Sequence, residues 1–206
     1  MRDRDVREAV RLDLAAHYAG DGDTRIVEEM GIWSGSVRID IAVINGELSG
    51  FELKSDRDTL ERLPVQADLY SRVFDRLVLV AGSRHADKAA PYIPEWWGIT
   101  VAREDAERVI LEGVRESKAN PSPDPYLVAQ LLWKEEAIAV LDSYGLAKGW
   151  RGKRIKLIHQ RLSSELPFPT LSLEVRSALK RRTGWLRQNG SHQLDVPVNA
   201  DLNPVL

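Results

Sequence analysis

The chain contains 206 residues, of which 43% are hydrophobic, and this size and composition predict one α/β domain with a smaller appendage. No stretch approaches the roughly 18 apolar residues of a membrane span, and the first residues lack the pattern of a signal peptide. The sequence has no cysteine, which excludes a disulfide framework and favours a reducing compartment, so we predict a cytoplasmic protein without membrane association. The four histidines are widely separated, which excludes a zinc-type ligand spacing.

Apolar periodicity in the first part of the chain changes repeatedly between the spacing of a helix and that of a strand. An Asn45-Gly46 pair lies between two strand patterns, and this dipeptide is a strong signal for a β-hairpin. The predicted elements are a helix at 5–17, a strand at 24–32, a hairpin at 37–54, a helix at 58–74, a strand at 75–82, and further strands at 98–102 and 107–111. The order is helix, three-stranded antiparallel meander, helix and strand.

Three charged residues interrupt the apolar pattern of the hairpin: Asp40 on its first strand, and Glu52 and Lys54 on its second. Glu52 and Lys54 are two positions apart, so strand periodicity directs both side chains to the same face. A two-residue turn would place Asp40 opposite Phe51 and away from Glu52. We therefore expect either a three-residue loop with a left-handed Gly46 or a bulge, which restores a common face. The alternative is a hairpin whose outer face is merely polar.

The spacing of one Asp followed by Glu-x-Lys across a hairpin resembles the signature of the PD-(D/E)XK nuclease superfamily, especially its RecB-like branch and small stand-alone bacterial relatives. Ile39 stands where the family's proline would precede Asp40. The resemblance implies a restriction-endonuclease-like core in which Asp40 and Glu52 bind Mg²⁺, for which Mn²⁺ substitutes, while Lys54 assists the attacking water. It also implies a metal-dependent deoxyribonuclease with a role in DNA repair or defence.

Further residues are candidates for the same site. Gln66 and Tyr70 are one helical turn apart and resemble an additional Gln-x-x-x-Tyr motif of RecB-like nucleases, in which the Gln lies near the active centre. Glu8 on the first helix and Glu29 on the first strand are candidates for a further metal ligand. The simpler alternatives are that Glu8 is solvated, that Gln66 borders a core helix, and that Tyr70 is ordinary packing.

A proline-rich segment at 120–125 predicts a linker between residues 1–119 and a basic helical module at 126–190, which is followed by an extended tail at 191–206. Asp124 and Pro125 form an N-cap and first-turn signal for a helix that ends near Gly145. Residues 148–187 contain eleven Lys or Arg against two Glu, so this segment has a net charge of +9 and the rest of the chain −11.

A basic helical unit of this kind suits the phosphate backbone of a nucleic acid. Trp150 and Trp185 flank the basic stretch and could stack on bases, although tryptophans in such positions are more often part of the core. The alternatives for the charges are a solvated helix face or, at 180–182, cations that favour a helix C-terminus. The candidate nucleic-acid-binding residues are Arg151, Lys153, Arg154, Lys156, Lys180, Arg181 and Arg182.

The sequence thus predicts a Mg²⁺-dependent nuclease whose helical module holds DNA, with RNA and homodimer formation left open. Two alternatives come from other classes of protein. One is a nucleic-acid-binding protein that keeps the same fold without cleaving. The other is an interaction subunit whose basic end docks on an acidic partner.

Overall fold

A computed structural model describes residues 1–33, 37–106 and 108–183, and shows an α/β protein built on one six-stranded sheet. The strands are β1 (Arg25–Ile32), β2 (Val37–Ile44), β3 (Leu48–Lys54), β4 (Arg76–Gly82), β5 (Gly98–Asp105) and β6 (Arg108–Arg115). The α-helices are α1 (Asp3–His17), α2 (Leu63–Ser71), α3 (Ala86–Ala89), α4 (Pro125–Ala129), α5 (Lys134–Ser143), α6 (Ile155–Glu165) and α7 (Phe168–Arg181), and a short 3₁₀ helix spans Ala90–Tyr92.

The strands lie in the sheet in the order in which they occur in the chain. β1, β2 and β3 form an antiparallel meander, β3, β4 and β5 are parallel, and β6 returns antiparallel to β5. The prediction of an α/β protein is therefore confirmed. β5 and β6 are each longer than the sequence predicts, because the residues that continue them are mostly exposed and carry no apolar pattern.

Two hydrophobic clusters cover the two faces of the sheet. On β4, Leu79 belongs to one cluster and the adjacent Val80 to the other, which is the alternation that a strand imposes. α1 contributes Val6, Val10 and Leu14 to the smaller cluster. The larger cluster contains α2 and also the buried residues of α4 to α7, so the C-terminal helices continue the apolar core on that side of the sheet.

Residues of the predicted linker make specific hydrogen bonds with the turn between α2 and β4. Asn120 Nδ2 donates to the carbonyl oxygens of Ser71 (2.6 Å) and Phe74 (2.8 Å). The N–H of Asp124 donates to the carbonyl of Arg72 (2.8 Å). The segment is therefore attached to the sheet layer, while the division of the chain into domains on either side of it stays a prediction.

The helix predicted from Pro125 to about Gly145 is two helices. Its predicted start is confirmed, because the Asp124 side chain accepts hydrogen bonds from the N–H groups of Tyr126 and Leu127. The helix stops after Ala129 and restarts at Lys134. Backbone carbonyls between Ala129 and Lys134 bind side chains from elsewhere in the chain. His159 Nε2 contacts the carbonyl oxygen of Leu132 (3.1 Å), and the guanidinium of Arg182 donates to the carbonyl oxygen of Leu131 (2.7 Å).

α2 also starts later than the sequence predicts, because Asp58 belongs to a turn. Its carboxylate accepts hydrogen bonds from the N–H (2.7 Å) and the hydroxyl (2.6 Å) of Ser55. None of the helices in the described part of the chain combines the length and apolar character needed to cross a bilayer. The predicted tail at 191–206 lies outside the described residues.

Candidate functional site

The register of the hairpin places Asp40 level with Glu52. Ile41 pairs with Phe51 and Ile44 with Leu48, so the loop has three residues, as expected. Gly46 is not in the left-handed conformation, and this part of the expectation was wrong. The loop is closed by Asn45, whose side-chain oxygen accepts the N–H of Glu47 (3.0 Å) and whose own N–H donates to the Glu47 carbonyl (3.0 Å).

A buried hydrogen-bond network connects β3 to α2. Lys54 Nζ donates to Glu52 Oε1 (2.5 Å) and to Gln66 Oε1 (3.0 Å). Gln66 Nε2 donates to the hydroxyl of Tyr70 (3.4 Å), which in turn donates to the carbonyl of Arg38 on β2 (2.6 Å). Glu52 is only 2% exposed and Lys54 5%. The structure therefore brings together Glu52, Lys54, Gln66 and Tyr70 as parts of one interior network.

Asp40 lies at the edge of this network and is held by α1. Its Oδ1 accepts a hydrogen bond from Arg7 Nη2 (2.7 Å), and its Oδ2 accepts the N–H of Leu53 (2.8 Å). Arg7 Nη1 also donates to the Asp40 carbonyl (3.2 Å). Sequence reasoning missed Arg7. The only available signal was its position directly after Val6, on the side of α1 that faces the sheet.

The two further carboxylates that the sequence offered have different positions. Glu29 on β1 lies opposite Asp40 on β2, because its neighbours Glu28 and Met30 pair with Ile41 and Ile39. The Glu29 carboxylate contacts Arg7 Nη2 (3.0 Å). Its backbone has a φ of 51°, an unusual conformation for a non-glycine residue. Glu8 is instead exposed and pairs with Arg11 (2.6 Å). Glu29 is therefore part of the Asp40 cluster and Glu8 is not.

The electrostatics of the network raise the pKa of Glu52. Burial, the largest cause, and the negative charge of Asp40 together raise the pKa of the Glu52 carboxyl to about 7, although Lys54 opposes both effects. The second carboxyl oxygen, Oε2, is buried and has no hydrogen-bond partner among the described residues. Burial also raises the pKa of the Tyr70 hydroxyl. The network thus contains a carboxyl group that titrates near neutral pH.

The predicted Mg²⁺ or Mn²⁺ site uses Asp40 and Glu52 as hard oxygen ligands, so both carboxylates would have to be free to bind the ion. As placed, Asp40 is neutralised by Arg7 and Glu52 by Lys54. No group of three His, Asp or Glu residues in the described ranges is arranged to hold a metal ion. The residues in this arrangement do not fit a resident divalent cation, and the metal stays a prediction from the sequence.

Several cations of the basic end have structural partners. Arg176 pairs with Asp75 (3.3 Å) and Lys180 with Asp23 (2.6 Å). Arg182 is buried, pairs with Glu136, and stacks on the ring of Trp133 at 4.2 Å. Trp150 is likewise covered, by the guanidinium of Arg161 at 4.6 Å. These residues connect α6 and α7 to the remainder of the molecule, and Trp185 lies outside the described residues.

The remaining cations are exposed and adjacent in sequence. We call them the basic segment: Lys148, Arg151, Lys153, Arg154 and Lys156, which lie in the α5–α6 loop and the first turn of α6. Arg151 forms an exposed pair with Asp142 (2.8 Å). The other four form no ion pair within the described ranges. Arg181 is also exposed, at the end of α7.

These features define an α/β protein with a buried charged network on the hairpin and an exposed basic segment. The chain belongs to the family of bacteriophage P4 protein cII, whose sequence model matches residues 10–190. It is 25% identical to protein cII of Enterobacteria phage P4 over 124 residues, which correspond to 60% of this chain and 47% of that protein. The matched part is thus about half the length of that curated relative.

The family assignment overturns the identification drawn from the hairpin residues. The matched region includes the hairpin itself, yet the family is described as a bacteriophage protein cII and not as a nuclease. The predictions of a PD-(D/E)XK nuclease, of a phosphodiester hydrolase and of a role in DNA repair or defence were therefore wrong. The structure gives the charged residues another use, because Arg7 and Lys54 neutralise Asp40 and Glu52 inside the fold.

Proposed function

We propose that this protein binds DNA through its basic segment and does not cleave it. The observation that carries the proposal is the exposure of Lys148, Lys153, Arg154 and Lys156 without ion-pair partners within the described residues. The other cations of the basic end mostly support the fold, so these side chains remain available to a ligand. Clustered cations with no internal partner suit the regularly spaced charges of a nucleic-acid backbone.

The charge distribution along the chain supports DNA binding at the basic segment. Residues 148–187 contain eleven Lys or Arg and two Glu, whereas the remainder of the chain has an excess of carboxylates. A protein with a formal charge of −2 would repel a polyanion unless it approached from the basic side. Binding by such a surface depends on released counterions and is largely independent of base sequence.

The buried network supports the absence of cleavage in this proposal. Its charges are used to hold β3, α1 and α2 together, and an internal Arg and Lys occupy the positions next to its carboxylates. We also infer that the order of helix, meander, helix and strand corresponds to a restriction-endonuclease-like core. Such a core can be kept without the chemistry, since fold does not determine function.

The test compares two variants that remove the same charge. In the first, Lys148, Lys153, Arg154 and Lys156 are replaced by Gln; in the control, four other exposed cations without ion pairs in the described ranges are replaced, Arg62, Arg84, Lys88 and Lys118. Fluorescence anisotropy with unrelated duplex sequences should show weaker binding by the first variant on every sequence. The control variant should lose much less.

Two further readouts complete the test. DNA recovered after incubation with Mg²⁺ or Mn²⁺ should be intact, and competition with single-stranded RNA should identify the preferred nucleic acid. Equal losses by both variants would overturn the assignment of the basic segment. Absence of DNA binding by the unmodified protein would favour the second candidate, a subunit that docks on an acidic protein. Homodimer formation stays a prediction and can be measured by light scattering.

A further inference from the structure

The loop between α5 and α6 surrounds a cavity of about 480 Å³. Its lining includes Lys148, Gly149, Arg151 and Gly152 from the loop and Asp142 from the last turn of α5. Two cations thus line a space far larger than the roughly 30 Å³ occupied by one water molecule. The cavity is open to solvent, and two of its lining residues, Lys148 and Arg151, belong to the basic segment.

Backbone groups of the same loop are available as donors. The N–H groups of Ala147, Lys148, Gly149, Arg151 and Gly152 donate no hydrogen bond to another group in the described part of the chain. Gly149 has a φ of 78° and follows a residue whose φ is not positive. Successive N–H groups around such a change of backbone hand form a concave site for anions.

The loop's glycines are not all explained by packing or by helix termination. Gly145 ends α5, because its N–H donates to the Asp142 carbonyl (3.0 Å) and the next N–H, of Leu146, donates to the Leu141 carbonyl (2.7 Å). Gly152 has no such role: a Cβ there would meet no atom within 4 Å, and its φ is not in the left-handed region. A side chain at Gly152 would simply occupy open space.

We propose that this loop is a phosphate subsite, in which Lys148, Arg151 and the free N–H groups bind one phosphate of the DNA backbone. The inference rests on the proposed function. Asp142 acts as an internal competitor, since its carboxylate forms an exposed ion pair with Arg151 (2.8 Å) that an incoming phosphate would replace. The Asp142 carboxylate therefore takes the place of the phosphate beside Arg151 when DNA is absent.

Two substitutions test the subsite in opposite directions. Gly152→Val places a branched side chain at the cavity wall and narrows the cavity without changing charge, and Gly22→Val is its matched control, because Gly22 also has open space and an ordinary φ. Asp142→Asn removes the competitor and should strengthen phosphate binding by up to about fivefold, the range of an exposed ion pair. A loop with a purely structural role would not bind phosphate more tightly after Asp142→Asn.

The first measurement uses inorganic phosphate and the ¹⁵N-labelled full chain. Amide resonances of residues 147–152 should shift with saturation as phosphate is added, and should not shift with sodium chloride at the same ionic strength. The saturable shifts should be lost in Gly152→Val and kept in Gly22→Val. No saturable shift, or unchanged saturation in Gly152→Val, would overturn the subsite.

The second measurement separates the source of the phosphate. In DNA titrations, Gly152→Val should reduce the slope of log affinity against log salt by up to about 0.9, the value for one lost phosphate contact. An unchanged slope would overturn the loop's part in DNA binding while leaving the proposed function standing. Saturable phosphate binding by a protein that binds no DNA would overturn the proposed function and leave an anion site for free phosphate.

Discussion

Glu52 combines deep burial with one unpartnered carboxyl oxygen, and folding therefore raises the pKa of its carboxyl group. We expect its side-chain carbon to titrate with a pKa of about 7 in a ¹³C experiment. Lys54→Met should raise this pKa further, because the ammonium opposes the effect of burial. Titration of Glu52 at or below 4.5, its ordinary value, would contradict the described burial.

The same group makes stability depend on pH. Its pKa is higher in the folded than in the unfolded state, so the folded state binds the extra proton, and its contribution to stability falls as pH rises from about 4.5 to about 7. A shift of this size corresponds to roughly 3 kcal/mol. Urea denaturation at a series of pH values should show this decrease in the unmodified protein. In Glu52→Gln the decrease in stability over the same pH window should be largely absent. Identical pH profiles for the variant and the unmodified protein would contradict the assignment of this pH dependence to Glu52.

At the scale of single residues, the sequence could predict neighbours that share one element or one hairpin. The two-residue spacing of Glu52 and Lys54 on a strand gave their common face, and the four-residue spacing of Gln66 and Tyr70 on a helix gave their contact. The Arg7–Asp40 pair depends on how α1 lies on the sheet, which no local spacing encodes. Without Arg7, the carboxylates resembled free ligands, and this led to the wrong enzymatic prediction.

Among the elements, α1 is attached to the sheet by one arginine as well as by its apolar face. Arg7 contacts Asp40 (2.7 Å) and Glu29 (3.0 Å), on adjacent strands. Arg7→Met should lower the free energy of unfolding by about 2 kcal/mol, below the range for a fully buried pair because these groups are partly exposed. Urea denaturation measures the loss.

The control for Arg7 is Arg11→Met, which removes a cation one turn further along α1 whose partner is the exposed Glu8. Its effect should stay within about 0.5 kcal/mol. Similar losses for both substitutions would show that Arg7 is an ordinary surface residue of the helix.

The end of α7 offers a second matched pair, Arg181 and Arg182. Arg182 is buried and binds Glu136 and the Leu131 carbonyl, whereas Arg181 is exposed. Arg182→Met should destabilise the protein by about 3 kcal/mol, because it leaves the carboxylate and carbonyl without their donor. Arg181→Met should change stability by less than about 0.5 kcal/mol. Equal midpoints in thermal or urea unfolding would contradict this placement of Arg182.

The helices illustrate which element boundaries could be predicted. The start of α4 was predictable because Asp124 caps it through its own side chain, and the end of α5 because Gly145 adopts a positive φ of 70°. The break between α4 and α5 was not, since it is stabilised by His159 and Arg182, which lie far along the chain. Local signals specify caps, while tertiary contacts decide whether a helix continues.

At the scale of the whole molecule, the proposed interaction with DNA is carried by a few exposed cations and not by the buried charges of the hairpin. Charge asymmetry along the sequence indicated which end is basic, and the structure separates supporting cations such as Arg176 from exposed ones such as Lys153. The sequence could not make this distinction, because both kinds of residue occur in the same basic stretch.

The most direct test is the salt dependence of binding to duplex DNA. The slope of log affinity against log salt should flatten when Lys148, Lys153, Arg154 and Lys156 are replaced by Gln, by up to about 3.6 if all four contact phosphates. The equally charged control variant at Arg62, Arg84, Lys88 and Lys118 should keep the slope of the unmodified protein. A slope that is unchanged in the first variant, or reduced equally in both, would contradict the assignment of DNA binding to the basic segment.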